Sequence, residues 1–398
     1  MRVLIATVTA GGGHLQAAAA LDEAWTTAYP SDEVKRVDLL DLVPKLQRKF
    51  YAEGYVKLIA HAPELYELFF NKTDNPKRLR ELSTLRRRFA EHTNRKFVRL
   101  VDQFKPDVVL CTHFLPLEVL GSLKSRKPAG RAADGGGAAE GARHHPYVVC
   151  VVTDFEAHAL WMEPSVDLYC VAAEETKARL VARKVDGEGV VVTGIPIGGR
   201  FSQPIDAAIV RRRRGLRDDL PTVLVLGGGF GMGPVAEILG SLDSIEREFQ
   251  IVVVAGRNAD LRRELAAQDR RHPTHVLGFV TNMHEMMAVA DLIVSKPGGL
   301  TTAEALALGK PLFILNPIPG QEAANSDFLL ERGAAAKVNR VEDLPFRLDR
   351  LLGSPKLKEM AASARALGRP DAAAAVCEAT ARARAATRSR KNPAGPAR

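Results

Sequence analysis

SKPGGLTTAEALALGKPLFILNPIPGQEAAN, from Ser295 to Asn325, sets a strand end, a glycine turn, a helix and a polar loop in one run. The β-branched stretch Asp291 to Ser295 reads as a buried strand that stops at Lys296, Pro297, Gly298 and Gly299. A helix through Leu300 should follow, with Thr301 and Thr302 as its capping residues. The free N–H groups of its first turn and the positive end of its dipole make a seat for a diphosphate. Glu304, one turn further in, is placed to accept hydrogen bonds from a ribose diol. After a second apolar strand, Pro311 to Leu315, the prolines at 317 and 319 and Gly320 stiffen a loop. That loop carries Gln321, Glu322 and Asn325, whose amide and carboxylate groups suit sugar hydroxyls. An ordinary β-turn-α unit with a capped helix would account for the same residues taken alone.

Upstream lie three more strands that empty into glycine-bearing or polar turns. They are VLVLGGGFGMGP (Val223 to Pro234), IVVVAGRN (Ile251 to Asn258) and HVLGFVTNM (His275 to Met283). In an open parallel sheet, ligands sit outside the carboxyl ends of the strands, so these turns are expected to serve one site. Its donor-binding residues are then Gly228, Gly229, Phe230, Gly231, Arg257, Phe279 and Val280, with Lys296 as a nearby cation.

The amino-terminal run RVLIATVTAGGGHLQAAAALDEAW (Arg2 to Trp25) is again strand, glycine turn and alanine-rich helix. It places Gly12, Gly13 and His14 at the turn. Neither glycine turn fits the dinucleotide fingerprint, because Gln16 and Met232 stand where a third Gly or Ala is wanted. Asp38, at the end of the next strand, remains a candidate ribose acid. A nicotinamide-dependent oxidoreductase therefore stays among the alternatives.

In these residues the chain is similar to glycosyltransferase family 28, and within it to the diacylglycerol glycosyltransferases. KPGG-L-T-x-x-EA followed by P-I-PGQE-x-x-N resembles the bacterial processive glucosyltransferases. GGGFGMGP resembles the plant-type monogalactosyldiacylglycerol synthases. The block TDFEAHALWMEPSVDLYCV (Thr153 to Val171) resembles the same lipid enzymes at Thr153, Asp154, Phe155, His158 and Trp161. The resemblance extends from Arg2 to about Val338.

It implies an α/β chain of the GT-B fold, two Rossmann-like parallel-sheet domains facing a central cleft. Residues 1–198 would form the acceptor-binding domain and 199–370 the UDP-sugar domain, with a C-terminal helix and basic tail over 371–398. It further implies direct displacement with inversion, moving a hexose from a UDP-sugar to diacylglycerol. His14 is the first candidate for the base and Asp154 the second, either as base or as the group orienting His14. His158 and Trp161 join Gly12 and Gly13 on the acceptor side. No Asp-x-Asp pair occurs in the sequence, so no metal and no cofactor are expected, and backbone amides are expected to neutralise the departing diphosphate. Within the same fold, an N-acetylglucosamine transferase acting on a lipid-linked peptidoglycan precursor is the alternative. A non-catalytic lipid-surface protein is a third.

Composition sets the limits. At 398 residues and 26% charged, the chain has room for two soluble domains, and no apolar stretch reaches the length of a membrane span. The start of the chain enters a strand without a signal-peptide pattern, so a cytoplasmic location at the inner face of the cell membrane is expected. Cys111, Cys150, Cys170 and Cys377 have no paired spacing and read as reduced, buried residues. The net charge of +9 draws on a basic run between Lys72 and Lys105, preceded by the aromatic and leucine-rich segment Phe50 to Phe70. Together these suit an anionic membrane surface as partner, although core packing beside a solvated face explains them too. Nucleic acid is not expected, because aromatics do not alternate with the basic residues. Residues 125–145 are low in complexity and read as a disordered insertion. Gly198 to Pro221, with its RRRRG string, reads as a linker.

Overall fold

The computed structural model describes residues 1–9, 11–44, 48, 62–125, 145–227, 234–315 and 317–391. Residues 126–144 of the insertion expected at 125–145, residues 50–61 of the leucine-rich segment, the tail beyond 391 and Gly228, Gly229, Phe230 and Gly231 lie outside them. The chain divides into two units, one of Met1–Gly198 with Ala372–Arg398, the other of Gly199–Asp371.

The first unit is built on a six-stranded sheet in the order β2-β1-β3-β4-β5-β6, all pairs parallel. Its strands are β1 (Arg2–Thr7), β2 (Glu33–Asp38), β3 (Val108–Cys111), β4 (Tyr147–Val151), β5 (Leu168–Val171) and β6 (Val190–Val192). Period-2 alternation divides β1 between two cores. Val3 and Ile5 join one with Trp25, while Leu4 and Ala6 join the other with Leu117 and Trp161. Both faces are therefore covered, which is why the central strands read as unbroken apolar runs. Helices α1 (Gly13–Ala28), α2 (Pro63–Thr73), α3 (Ser83–Thr93) and α4 (Phe114–Ser125) belong to this unit. All four cysteines are buried and free.

The basic run does not present a uniform charged face. Arg86 and Arg87 on α3 turn inward and pair with the buried carboxylates of Glu118 and Glu163. Beside α2, Asp74 takes Arg183 at 2.6 Å and Arg179 at 2.8 Å. Alongside exposed Arg88, α3 shows solvent an apolar stripe, with Leu85 and Phe89 each 69% exposed and Leu82 one turn before them.

The second unit carries a parallel sheet in the order β12-β11-β10-β7-β8-β9. Its strands are β7 (Thr222–Leu226), β8 (Gln250–Val254), β9 (Thr274–Leu277), β10 (Leu292–Ser295), β11 (Leu312–Leu315) and β12 (Ala335–Val338). The stretch taken for a linker contains a helix, α5 (Ala207–Arg214). Asp206 caps it by accepting from the N–H groups of Ala208 and Ile209, and Gly215 ends it at φ +68°. The arginine string is less loose than its charge suggested. Arg211 donates to the Val289 carbonyl at 3.0 Å and Arg213 pairs with Glu285 at 2.5 Å.

Helices α6 (Gly299–Ala307), α7 (Gln321–Glu331) and α8 (Pro355–Leu367) complete the parts of this unit that bear on the site. The last helix, α9 (Ala372–Lys391), returns to the first unit, where Val376 and Cys377 enter the core beside Trp25. Arg384 there pairs with Asp107.

Candidate active site

In each sheet the strand order reverses once, between β1 and β3 and between β10 and β7. A crevice outside the carboxyl ends of the strands opens at such a reversal, so the candidate residues are taken unit by unit from these two points.

In the second unit the turn after β10 runs through Lys296, Pro297 and Gly298 into α6. Gly298 is the N-cap and no side chain caps the helix. Thr301 and Thr302 are therefore not caps, because the helix starts at Gly299, ahead of both. Thr302 donates its N–H to the Gly298 carbonyl at 2.9 Å, so the N–H groups of Gly299, Leu300 and Thr301 precede the first intrahelical bond. Those three donors are the candidate anion seat. Thr302 is fully buried, and its hydroxyl has no partner among the described residues.

Glu304 is 8% exposed, and burial pushes its carboxyl up to about 8, so it is protonated at neutral pH. Gln321, Glu322 and Asn325 do not lie in a loop. Gly320, at φ +89°, turns the chain directly into α7, and all three stand on its first turns. The Glu322 carboxylate accepts the Ile318 N–H at 2.8 Å, and its other oxygen sits 3.8 Å from where a Cβ on Gly298 would be. Asn325 is completely buried and donates to the Pro297 carbonyl at 3.0 Å, which assigns it to holding the glycine turn rather than to a sugar. After β8 and β9, Arg257 lies over the exposed ring of Phe279 at 4.9 Å, with Val280 next to it.

In the first unit, Gly12 is the N-cap of α1, again with no side-chain cap, and Gly11 before it has φ +86°. Gly13 opens the helix and His14 is its second residue. The His14 Nδ1 lies 2.8 Å from the Thr112 carbonyl and 3.0 Å from the Thr153 hydroxyl. A carbonyl only accepts, so Nδ1 carries the proton and Nε2 keeps a free lone pair. Thr112 also bonds the His14 carbonyl at 3.1 Å and the Thr7 hydroxyl at 2.9 Å. The groups holding Nδ1 thus come from Thr112 and Thr153, the role for which the sequence offered Asp154, a half-buried neighbour. Burial draws the His14 imidazole down to about 4, against the opposing pull of its bond to Thr112. A helix N-terminus also disfavours a cation there.

His158 is not on an open acceptor face. Its Nδ1 accepts from the Leu160 N–H at 3.1 Å and its Nε2 meets the Phe70 carbonyl at 3.0 Å, so both nitrogens are spent on structure. Trp161, 4% exposed, belongs to an aromatic group with His14, His113 and Phe114, at centroid distances of 6.3 Å from His14 and 6.4 Å from the other two. His113 was missed. Its signal was its place just after a buried strand, where the ligand rule points. Asp38 is excluded as a ribose acid, since it accepts from the N–H groups of Thr9 at 3.2 Å and Leu40 at 2.9 Å and from the Thr9 hydroxyl.

Two six-stranded parallel-sheet units of this kind are those of the GT-B fold. The structure resembles Acinetobacter baumannii MurG (TM-score 0.59, 17% identity, covering 96% of this chain and 99% of that one). It equally resembles the spinosyn rhamnosyltransferase SpnG (TM-score 0.59, 17% identity, 98% and 100% covered). Residues 14–134 and 138–197 match the monogalactosyldiacylglycerol synthase family, and 222–376 the family 28 glycosyltransferase C-terminal domain. Relatives named processive diacylglycerol beta-glucosyltransferase are 29% identical in Bacillus pumilus, over 90% of this chain and 89% of theirs. In Bacillus subtilis the identity is again 29%, over 86% and 85%. The chain belongs to the diacylglycerol glycosyltransferases of family 28.

Proposed function

We propose that the protein transfers a hexose from a UDP-sugar to the free hydroxyl of diacylglycerol, forming a β-glycosyl lipid. The observation that carries this is the state of His14, a neutral imidazole with Nδ1 tied down and Nε2 without a partner among the described residues, on a chain whose other unit offers an uncapped helix N-terminus. The names of its relatives supply the substrate class.

In this reading Nε2 of His14 takes the proton of the glycerol hydroxyl as its oxygen attacks the anomeric carbon. The bond from that carbon to the diphosphate breaks, and the electron pair leaves with UDP. Attack opposite the leaving group inverts the centre. The first-turn N–H groups of α6, with Lys296, take up the charge that builds on the diphosphate, and Glu304 holds the ribose. Arg257 and Phe279 bound the nucleotide. No metal ion or cofactor enters this scheme, so transfer should survive a chelator.

Access to the lipid is assigned to α2 and α3. Leu65, Leu68, Leu82, Leu85 and Phe89 are exposed beside Lys72, Arg88 and Lys96, a combination suited to an anionic leaflet. Among the described residues no helix is long and apolar enough to cross a membrane. Peripheral attachment at the inner face of the cell membrane follows as part of the proposal.

Incubation of the purified protein with UDP-glucose or UDP-galactose and diacylglycerol, followed by lipid separation, tests the reading and identifies the hexose. Absence of any glycolipid with either donor would overturn it. Flotation with vesicles containing phosphatidylglycerol tests the membrane face, and Leu85→Asp with Phe89→Asp should abolish co-flotation.

A further inference from the structure

We infer that His113 is a positioning residue for His14, its ring fixing the plane of the neighbouring imidazole and shielding it from water. This deepens the transferase reading above and rests on it for its catalytic part. His113 is 3% exposed and follows β3 directly. Its Nδ1 accepts the Leu115 N–H at 3.1 Å, so the neutral ring carries its proton on Nε2. The ring stacks on Phe114 at 4.2 Å and meets His14 edge to face at 4.9 Å, with an angle of 86° between the planes. The Thr112 carbonyl and the Thr153 hydroxyl hold Nδ1 of His14, and the perpendicular His113 ring packs against the imidazole as a further restraint on its plane.

The same contact bears on protonation. The titratable group that meets the His14 ring is His113, from the turn after β3. Burial and the proximity of His14 hold the His113 imidazole well below its ordinary value, so it offers no charge of its own. Its apolar edges fill space that water would otherwise take, and water would favour the protonated form of His14.

The test uses the full-length protein and two variants. His113→Asn retains an oxygen that accepts the Leu115 N–H but removes the ring; His113→Phe keeps the ring and removes the acceptor. Removal of the ring should lower kcat for glycolipid formation about tenfold while leaving KM for the UDP-sugar within about twofold. It should also raise the His14 protonation midpoint, read by 15N ring resonances, by about one pH unit. His113→Phe should recover most of the kcat, which a merely capping role would not allow. An unmoved His14 midpoint in His113→Asn, or a Phe variant as slow as the Asn one, overturns the inference. If the wild type forms no glycolipid, the transferase reading falls, while the His14 midpoint still decides whether His113 positions it.

Discussion

Burial acts in opposite senses on the two ionisable groups that matter most. It holds Glu304 protonated up to about 8 and His14 neutral down to about 4. The consequences for stability have opposite signs. Glu304 binds its proton more tightly folded than unfolded, so the stability it contributes is complete below about 4.5 and is lost as pH rises through 8. Glu304→Gln should therefore raise the Tm at pH 8 by roughly 5 °C and leave it nearly unchanged at pH 4.5, as calorimetry would show. His14 behaves conversely. Its contribution is complete above about 6.5 and is lost as pH falls towards 4, by about 3 kcal/mol at most. His14→Gln should flatten that acid-side loss in urea titrations between pH 7 and 4. Kinetically, His14→Ala should reduce transfer by more than about a hundredfold while UDP binds as before. Retained turnover would remove His14 as the base.

Between helices, close approach decides what is tolerated. A Cβ on Gly368, which follows α8, would land on the Leu306 carbonyl oxygen of α6, where backbone cannot yield. Gly368→Ala should cost about 2 kcal/mol in denaturant unfolding and displace α6, whose N-terminus is the proposed anion seat, so UDP affinity should fall with it. The composition of α3 conveyed a basic, apolar helix, yet not which arginines face inward. Glu118 lies 32 residues beyond Arg86, and Glu163 lies 76 beyond Arg87. The loop expected at Gln321 to Asn325 is a helix for a comparable reason. Polar groups near two prolines suggest a loop, whereas the Glu322 carboxylate satisfies the Ile318 N–H and lets the helix begin at once.

The chain as a whole closes back on itself, because α9 belongs to the unit in which the chain began. Its Val376 and Cys377 cover a core shared with Trp25, Ile5 and Val108, and Arg384 ties it to Asp107. A chain ending at Asp371 should therefore lose protection in α1 and β1 while β7 to β11 keep theirs, a difference hydrogen exchange can read. Equal loss in both sheets would contradict the division into units.

The sequence by itself determined the strands, through β-branched runs too apolar for one-sided burial, and the glycine turns that break them. It also determined the family, through motifs whose spacing the turns impose. Only the tertiary structure decided which polar groups are spent on the scaffold and which are left for chemistry. His14 and Thr112 stand 98 residues apart, yet meet because the helix after β1 and the turn after β3 follow two adjacent strands. His158 and Asn325 looked like ligands until burial and backbone carbonyls accounted for them. Periodicity reports the face a residue occupies. The partner waiting there is set by strand order, which no local pattern encodes.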